Sequence, residues 1–136
     1  MSNAQNLAYA VIQVLHNFGA VATVGGSLAA TRIESAPAME KIARLTLAGW
    51  GTQAASGAAF GMVSYYFYHQ FPDIAGIAIA ALGIKMLCAT TGFLLVLAYL
   101  FRGAGWPEER KSRTWIASTI LAAIALSSAA FLRWFS

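Results

Sequence analysis

The stretch Ile74–Phe101, IAGIAIAALGIKMLCATTGFLLVLAYLF, decides the fold. Lys85 is its single charged residue. A hydrocarbon core of about 30 Å takes roughly 20 apolar residues at ~1.5 Å of helical rise each, and this stretch exceeds that length. Working outward, three further apolar runs are long enough to span: about Leu7–Ala30, Thr46–Tyr68 and Thr114–Phe135. Pro37, Pro72 and Pro107 all fall between the four runs, as expected of a residue that removes a hydrogen bond from a helix interior. Short connections make neighbouring helices antiparallel. The expected fold is therefore all-α: an integral membrane protein with four transmembrane helices in an up-down-up-down bundle, forming a single domain over residues 1–136.

Composition points the same way. Hydrophobic residues make up 59% of the chain and charged residues 10%, against the ~25% charge that keeps a typical soluble domain wet. The formal net charge of +4 is not a nucleic-acid signal, because nearly all the Lys and Arg fall in two short segments between apolar runs. Cys88 is the only cysteine, so no internal disulfide forms, and no Cys-x-x-Cys or His-rich tract suggests a structural metal. The first apolar run has no basic residue before it and no small-residue cleavage site after it, and it reads as a helix that stays.

Loop charge sets the orientation. The first connection carries Arg32, Lys41 and Arg44, and the third carries Arg102, Arg110, Lys111 and Arg113. The second, His69–Asp73, and the amino terminus carry no Lys or Arg, whereas Arg133 near the carboxyl end votes the other way. The positive-inside tendency then places both termini on the non-cytoplasmic side of a bacterial-type inner membrane. Tyr65, Tyr66, Phe67 and Tyr68 close the second span, and Trp50 and Trp115 lie near cytoplasmic ends; all read as interfacial anchors. Gly57 and Gly61 form a Gly-x-x-x-Gly pair, which reads first as packing inside the bundle and second as dimerisation.

Two residues stand out chemically. His16 and Lys85 are ionisable groups deep in the first and third spans, which makes them functional candidates. Counted from the non-cytoplasmic ends, they lie within a few ångströms of the same depth, near the midplane. Gln13, Asn17, Thr90 and Thr91 add polar groups at or near that level. A neutral imidazole is a good axial ligand for haem iron, or a ligand for copper, and a nearby lysine can hold a propionate or another anion. His69, at the membrane rim, reads as exposed loop. It lies more than ~10 Å from His16 along the membrane normal, which argues against a bis-histidine haem within one chain.

The stretch Leu15-His16-Asn17-Phe18-Gly19-Ala20-Val21-Ala22-Thr23-Val24-Gly25-Gly26 resembles the opening of the small membrane proteins grouped around HemJ-type protoporphyrinogen oxidase and the CopD-like copper-resistance domain. Gly26 and Arg32 stand at matching offsets, and Ile84-Lys85-Met86-Leu87 is similar to that group's third span. The resemblance implies a haem b held by His16, with Lys85 and Arg32 serving anionic groups. The leading expectation is a membrane protein that binds haem or a related tetrapyrrole through His16 and takes part in redox chemistry. A non-catalytic subunit of a larger membrane complex is the first alternative, and a copper or small-solute transport module the second. The expected partners are the lipid bilayer and either further copies of the chain or other subunits.

Overall fold

The computed structural model describes residues 2–135, so Met1 and Ser136, the ends of the expected single domain, lie outside the described residues. Four long helices follow in order: α1 (Asn3–Ala30), α2 (Ala36–Tyr68), α3 (Ile77–Arg102) and α4 (Glu108–Phe135). A short 3-10 turn, Gly103–Gly105, leads from α3 towards α4. Three of the four, α1, α3 with its 3-10 extension, and α4, are long and apolar enough to cross a membrane. The stretch of α2 at matching depth carries Thr46, Thr52, Gln53, Ser56 and Ser64, and is correspondingly less apolar.

The helices begin earlier than apolarity alone suggests. α2 starts at Ala36 and not at Thr46, with Pro37 in its first turn, where a missing N–H costs nothing. Its opening turns carry Glu40, Lys41 and Arg44, and Arg44 pairs with Glu40 at 2.7 Å. α4 likewise starts at Glu108, and Lys111–Glu108 and Arg113–Glu109 pair at 2.7 and 2.6 Å. Charge ends an apolar run, but it does not end a helix when acid and base alternate at i,i+3 and i,i+4. The turn between α1 and α2 therefore shrinks to residues 31–35. At the far end of α2, His69 closes the helix in the left-handed region, φ 54°, and donates its N–H to the Tyr65 carbonyl.

α1 packs mainly on α2, and α3 on α4; the two pairs meet through α2–α3 and α1–α4 contacts. Glycine permits the first of these approaches. A Cβ on Gly49 would sit 2.9 Å from both the Ala22 Cβ and the Thr23 backbone nitrogen, and one on Gly19 would sit 3.2 Å from the Gln53 backbone nitrogen. Gly26 touches the Thr46 side chain. As residue numbers rise in α1 they fall in α2, so this pair is antiparallel. Between α2 and α3, Gly92 accepts the face of the Trp50 indole.

The outer surface and the centre invert the soluble pattern. Phe18, Val21, Leu87 and Phe101 are largely exposed, while Ser27, Thr46 and Ser118 are fully buried. Ser27 and Ser118 share a hydrogen bond of 2.7 Å that ties α1 to α4. Such an arrangement suits a solvent of hydrocarbon, where the inside is the better place for a hydroxyl.

Two expectations need correction here. Trp50 and Trp115 are not interfacial anchors: each is 1% exposed and belongs to the buried core. Trp115 packs edge-on against Tyr99, at 4.9 Å between ring centres, and Tyr99 also meets Trp106. Nor does the Gly57–Gly61 pair hold the bundle together. Gly57 has open space where a Cβ would stand, and Gly61 faces only the Phe71 ring at 3.7 Å. Gly57→Leu should accordingly leave the detergent melting temperature of the isolated chain unchanged within the ~0.5 kcal/mol typical of surface changes, as thermal unfolding followed by circular dichroism would show. A large drop would mean that a neighbour covers this position.

Candidate functional site

His16 lies midway along α1, and the α1–α2 register decides what it meets. The contacts Gly26–Thr46 and Gly19–Gln53 fix the α1–α2 register, and one step further along it His16 falls opposite Ser56. The His16 Nδ1 and Ser56 Oγ atoms are 2.7 Å apart. Ser56 Oγ in turn donates to the Thr52 carbonyl one turn back, so it accepts from the ring and the imidazole proton sits on Nδ1. That leaves Nε2 with its lone pair, and Lys85 Nζ reaches it from α3 at 3.0 Å. The side chains thus form one directed chain across three helices: Lys85, His16, Ser56, Thr52 carbonyl. The ring N–H and the serine hydroxyl each have an acceptor, as half-buried polar groups in an apolar setting require.

Other groups fix the histidine in place. Gln53 donates its side-chain N–H to the His16 backbone carbonyl, a contact between α2 and α1 one turn from Ser56. The Phe60 ring stands edge-on to the imidazole at 5.9 Å, and Tyr9 stacks on Phe60 at 6.1 Å. Ring orientation is therefore set by a hydrogen bond on one side and by an aromatic wall on another.

The local charge is unusual. All five acidic residues, Glu34, Glu40, Asp73, Glu108 and Glu109, lie at helix ends or in connections. Three of them pair with bases on their own helix. Lys85 meets an imidazole and no carboxylate, which leaves its positive charge without a counter-ion among the described residues. An ammonium held this way among apolar helices favours an anionic group beside it.

Of the residues named from sequence, His16 and Lys85 are brought together. Arg32 is not: it sits exposed in the turn after α1, some 24 Å from His16 by helical rise. Gln13, Asn17, Thr90 and Thr91 all point outward and take no part in the link. His69 is exposed, in keeping with its reading as rim. Ser56 and Gln53 are the functional residues that sequence reasoning missed, the first having been counted among the small packing residues of α2. Loop length alone does not carry the signal: counting equally outward from the turn at 31–35 pairs His16 with Trp50, and the offset to Ser56 comes from the packed contacts Gly26–Thr46 and Gly19–Gln53.

The chain thus has four long helices, three of them long and apolar enough to cross a membrane, and a Lys–His–Ser link that joins α3, α1 and α2. No protein-family model, curated protein or solved structure matches the chain.

Proposed function

We propose that this chain is an integral membrane protein that binds haem b or a related tetrapyrrole through His16 Nε2 and takes part in membrane redox chemistry. The observation that carries the reading is the fixed imidazole: Nδ1 is tied to Ser56 Oγ at 2.7 Å, and Nε2 is left as an electron-pair donor. Metal-binding histidines are held in this manner, with the far ring nitrogen donating to an oxygen that sets tautomer and angle. Lys85 lies on Nε2 and would have to swing aside for iron to bind there. A released ammonium at that depth would find its counter-ion in an anionic edge of the tetrapyrrole, such as a propionate. The haem, when bound, supplies one-electron transfer. The protein's own residues orient the donor atom, hold negative charge and keep water from the ring. Arg32 has no part in this version of the site.

The test is the visible absorption spectrum of protein purified from cells supplied with a haem precursor. A Soret band with reducible α and β bands is expected. A colourless protein that also fails to take up added haem would overturn the reading and leave the accessory-subunit alternative in front. The copper or transport alternative draws less support, since among the described residues no group of three or more His, Cys, Asp and Glu converges.

The proposal includes the membrane arrangement. All four helices cross, α2 included, up-down-up-down, with the turns at 31–35 and 103–107, and the basic residues in and around them, in the cytoplasm of a bacterial-type inner membrane and both termini opposite. Loop charge supports this, and so does the charged start of α2, which would extend a helix of 33 residues beyond a ~30 Å core. A reporter inserted between Ser35 and Pro37 should read as cytoplasmic and one fused at the carboxyl end as external. Reversal at both sites would overturn the orientation.

A further inference from the structure

The outward face of α1 carries a pattern the haem site does not use. Asn6, Ala10, Gln13 and Asn17 are exposed and Ala20 is half-buried, and the stripe ends there because Val24 packs against the chain's own core. Their spacing of four, three, four and three residues is that of the core seam of a left-handed coiled coil. Gln13 Nε2 donates to Asn17 Oδ1 at 2.7 Å, which occupies one donor and one acceptor of the two carboxamides. Each amide keeps further capacity: an acceptor on Gln13 Oε1 and donors on Asn17 Nδ2, with no other side-chain bond among the described residues.

If α1 crosses the bilayer, these groups lie near mid-depth on the side facing away from the bundle. Hydrocarbon offers them nothing, and an unmade hydrogen bond there is costly. The free donor and free acceptor are complementary to each other, so a second identical pair satisfies both. Two copies inserted the same way in one membrane are related by a twofold axis along its normal, which brings α1 against α1 in parallel. Asn17 Nδ2 of one copy then reaches Gln13 Oε1 of the other, twice. Ala10 and Ala20, one turn on either side, let the backbones approach. A polar residue in such a seam also fixes register and copy number, which a plain apolar stripe does not.

From this juxtaposition we infer that the chain self-associates as a parallel dimer through the Asn6–Ala10–Gln13–Asn17–Ala20 stripe of α1. The inference rests on the proposed crossing of α1, and it is independent of haem.

The experiment uses the full chain in native membranes with Cys88→Ser as background. Ala10→Cys, on the stripe, should give a dimer band on mild oxidation, whereas Val11→Cys, exposed but turned ~100° away, should not. Adding Gln13→Leu with Asn17→Leu should weaken self-association about tenfold, read as loss of the Ala10→Cys band at equal expression. Equal bands at positions 10 and 11 would indicate random collision and overturn the dimer. Absence of any band would do the same and hand the face to a different partner or to water. A membrane-impermeant maleimide applied to the same Ala10→Cys protein in sealed vesicles separates the two failures, because labelling there would mean that α1 is not in the bilayer. The wild-type stripe is compared at two adjacent positions, so the result does not depend on the double variant folding.

Discussion

His16→Ala should abolish the Soret band while the far-ultraviolet circular dichroism stays that of a helical bundle. Alanine is the best helix former, so α1 loses no local preference. What disappears is the imidazole with both of its hydrogen bonds, Nδ1 to Ser56 at 2.7 Å and Nε2 to Lys85 at 3.0 Å. Ser56→Ala should be milder, lowering haem affinity by about 10–100-fold, the range found when the oxygen behind a metal-bound histidine is removed. Lys85→Met should keep the pigment. It removes the positive charge that offsets the anionic edge of the tetrapyrrole, which leaves the oxidised form the more stable, so the reduction potential should fall. A redox titration followed at the Soret and α bands reads all three variants. Retention of a normal spectrum by His16→Ala would show that His16 does not hold the iron.

The same variants carry a stability signature that does not depend on colour. His16→Ala strands the Lys85 ammonium among apolar groups and should cost about 1–3 kcal/mol. The double variant His16→Ala, Lys85→Met removes both partners and should recover much of that loss. A purely additive pair would mean that the link contributes nothing to folding.

The largest mechanical effect is expected at Gly49. A methyl group there would stand 2.9 Å from Ala22 Cβ and 2.9 Å from the Thr23 backbone nitrogen. Neither neighbour can swing away as the end of a long side chain could, so α1 and α2 must part. Gly49→Ala should destabilise by about 1–3 kcal/mol, and Gly49→Leu by more, read from thermal unfolding in detergent. Gly92→Ala should act similarly, because its Cβ would lie 2.5 Å from the buried Trp50 ring. Separation of α1 from α2 also moves Ser56 away from His16, so Gly49→Ala should lose pigment in proportion to its loss of packing. Wild-type melting for Gly49→Leu would mean that the two helices are not in contact there.

How much of this was legible beforehand differs from residue to residue. Apolar run length is a local property, and Ile74–Phe101 announces a membrane-length helix without any partner. His16 and Lys85 stand out for the same reason, since the cost of an ionisable group in a long apolar run needs no tertiary knowledge. Their shared depth follows from counting helical rise. Helix ends were less legible. The i,i+4 pairs Arg44–Glu40 and Arg113–Glu109 continue helices through charged sequence that an apolarity criterion reads as loop.

Azimuth was not legible. Around a helix in lipid the apolar moment is weak, because large apolar side chains cover the outside and small residues of either polarity fill the inside. Trp50 and Trp115 therefore passed for interfacial anchors although both are core, and Gly57 passed for a contact although it faces outward. The chain's own apolar pattern carried the helical class, four candidate spans of which three are long and apolar enough to cross a membrane, and two ionisable residues inside long apolar runs. That Ser56 orients His16, that Lys85 meets Nε2 and that Arg32 stands apart came only with the packed helices. Those facts depend on the register of α1 against α2, which the close approach at Gly19, Gly26 and Gly49 sets and which no single helix contains.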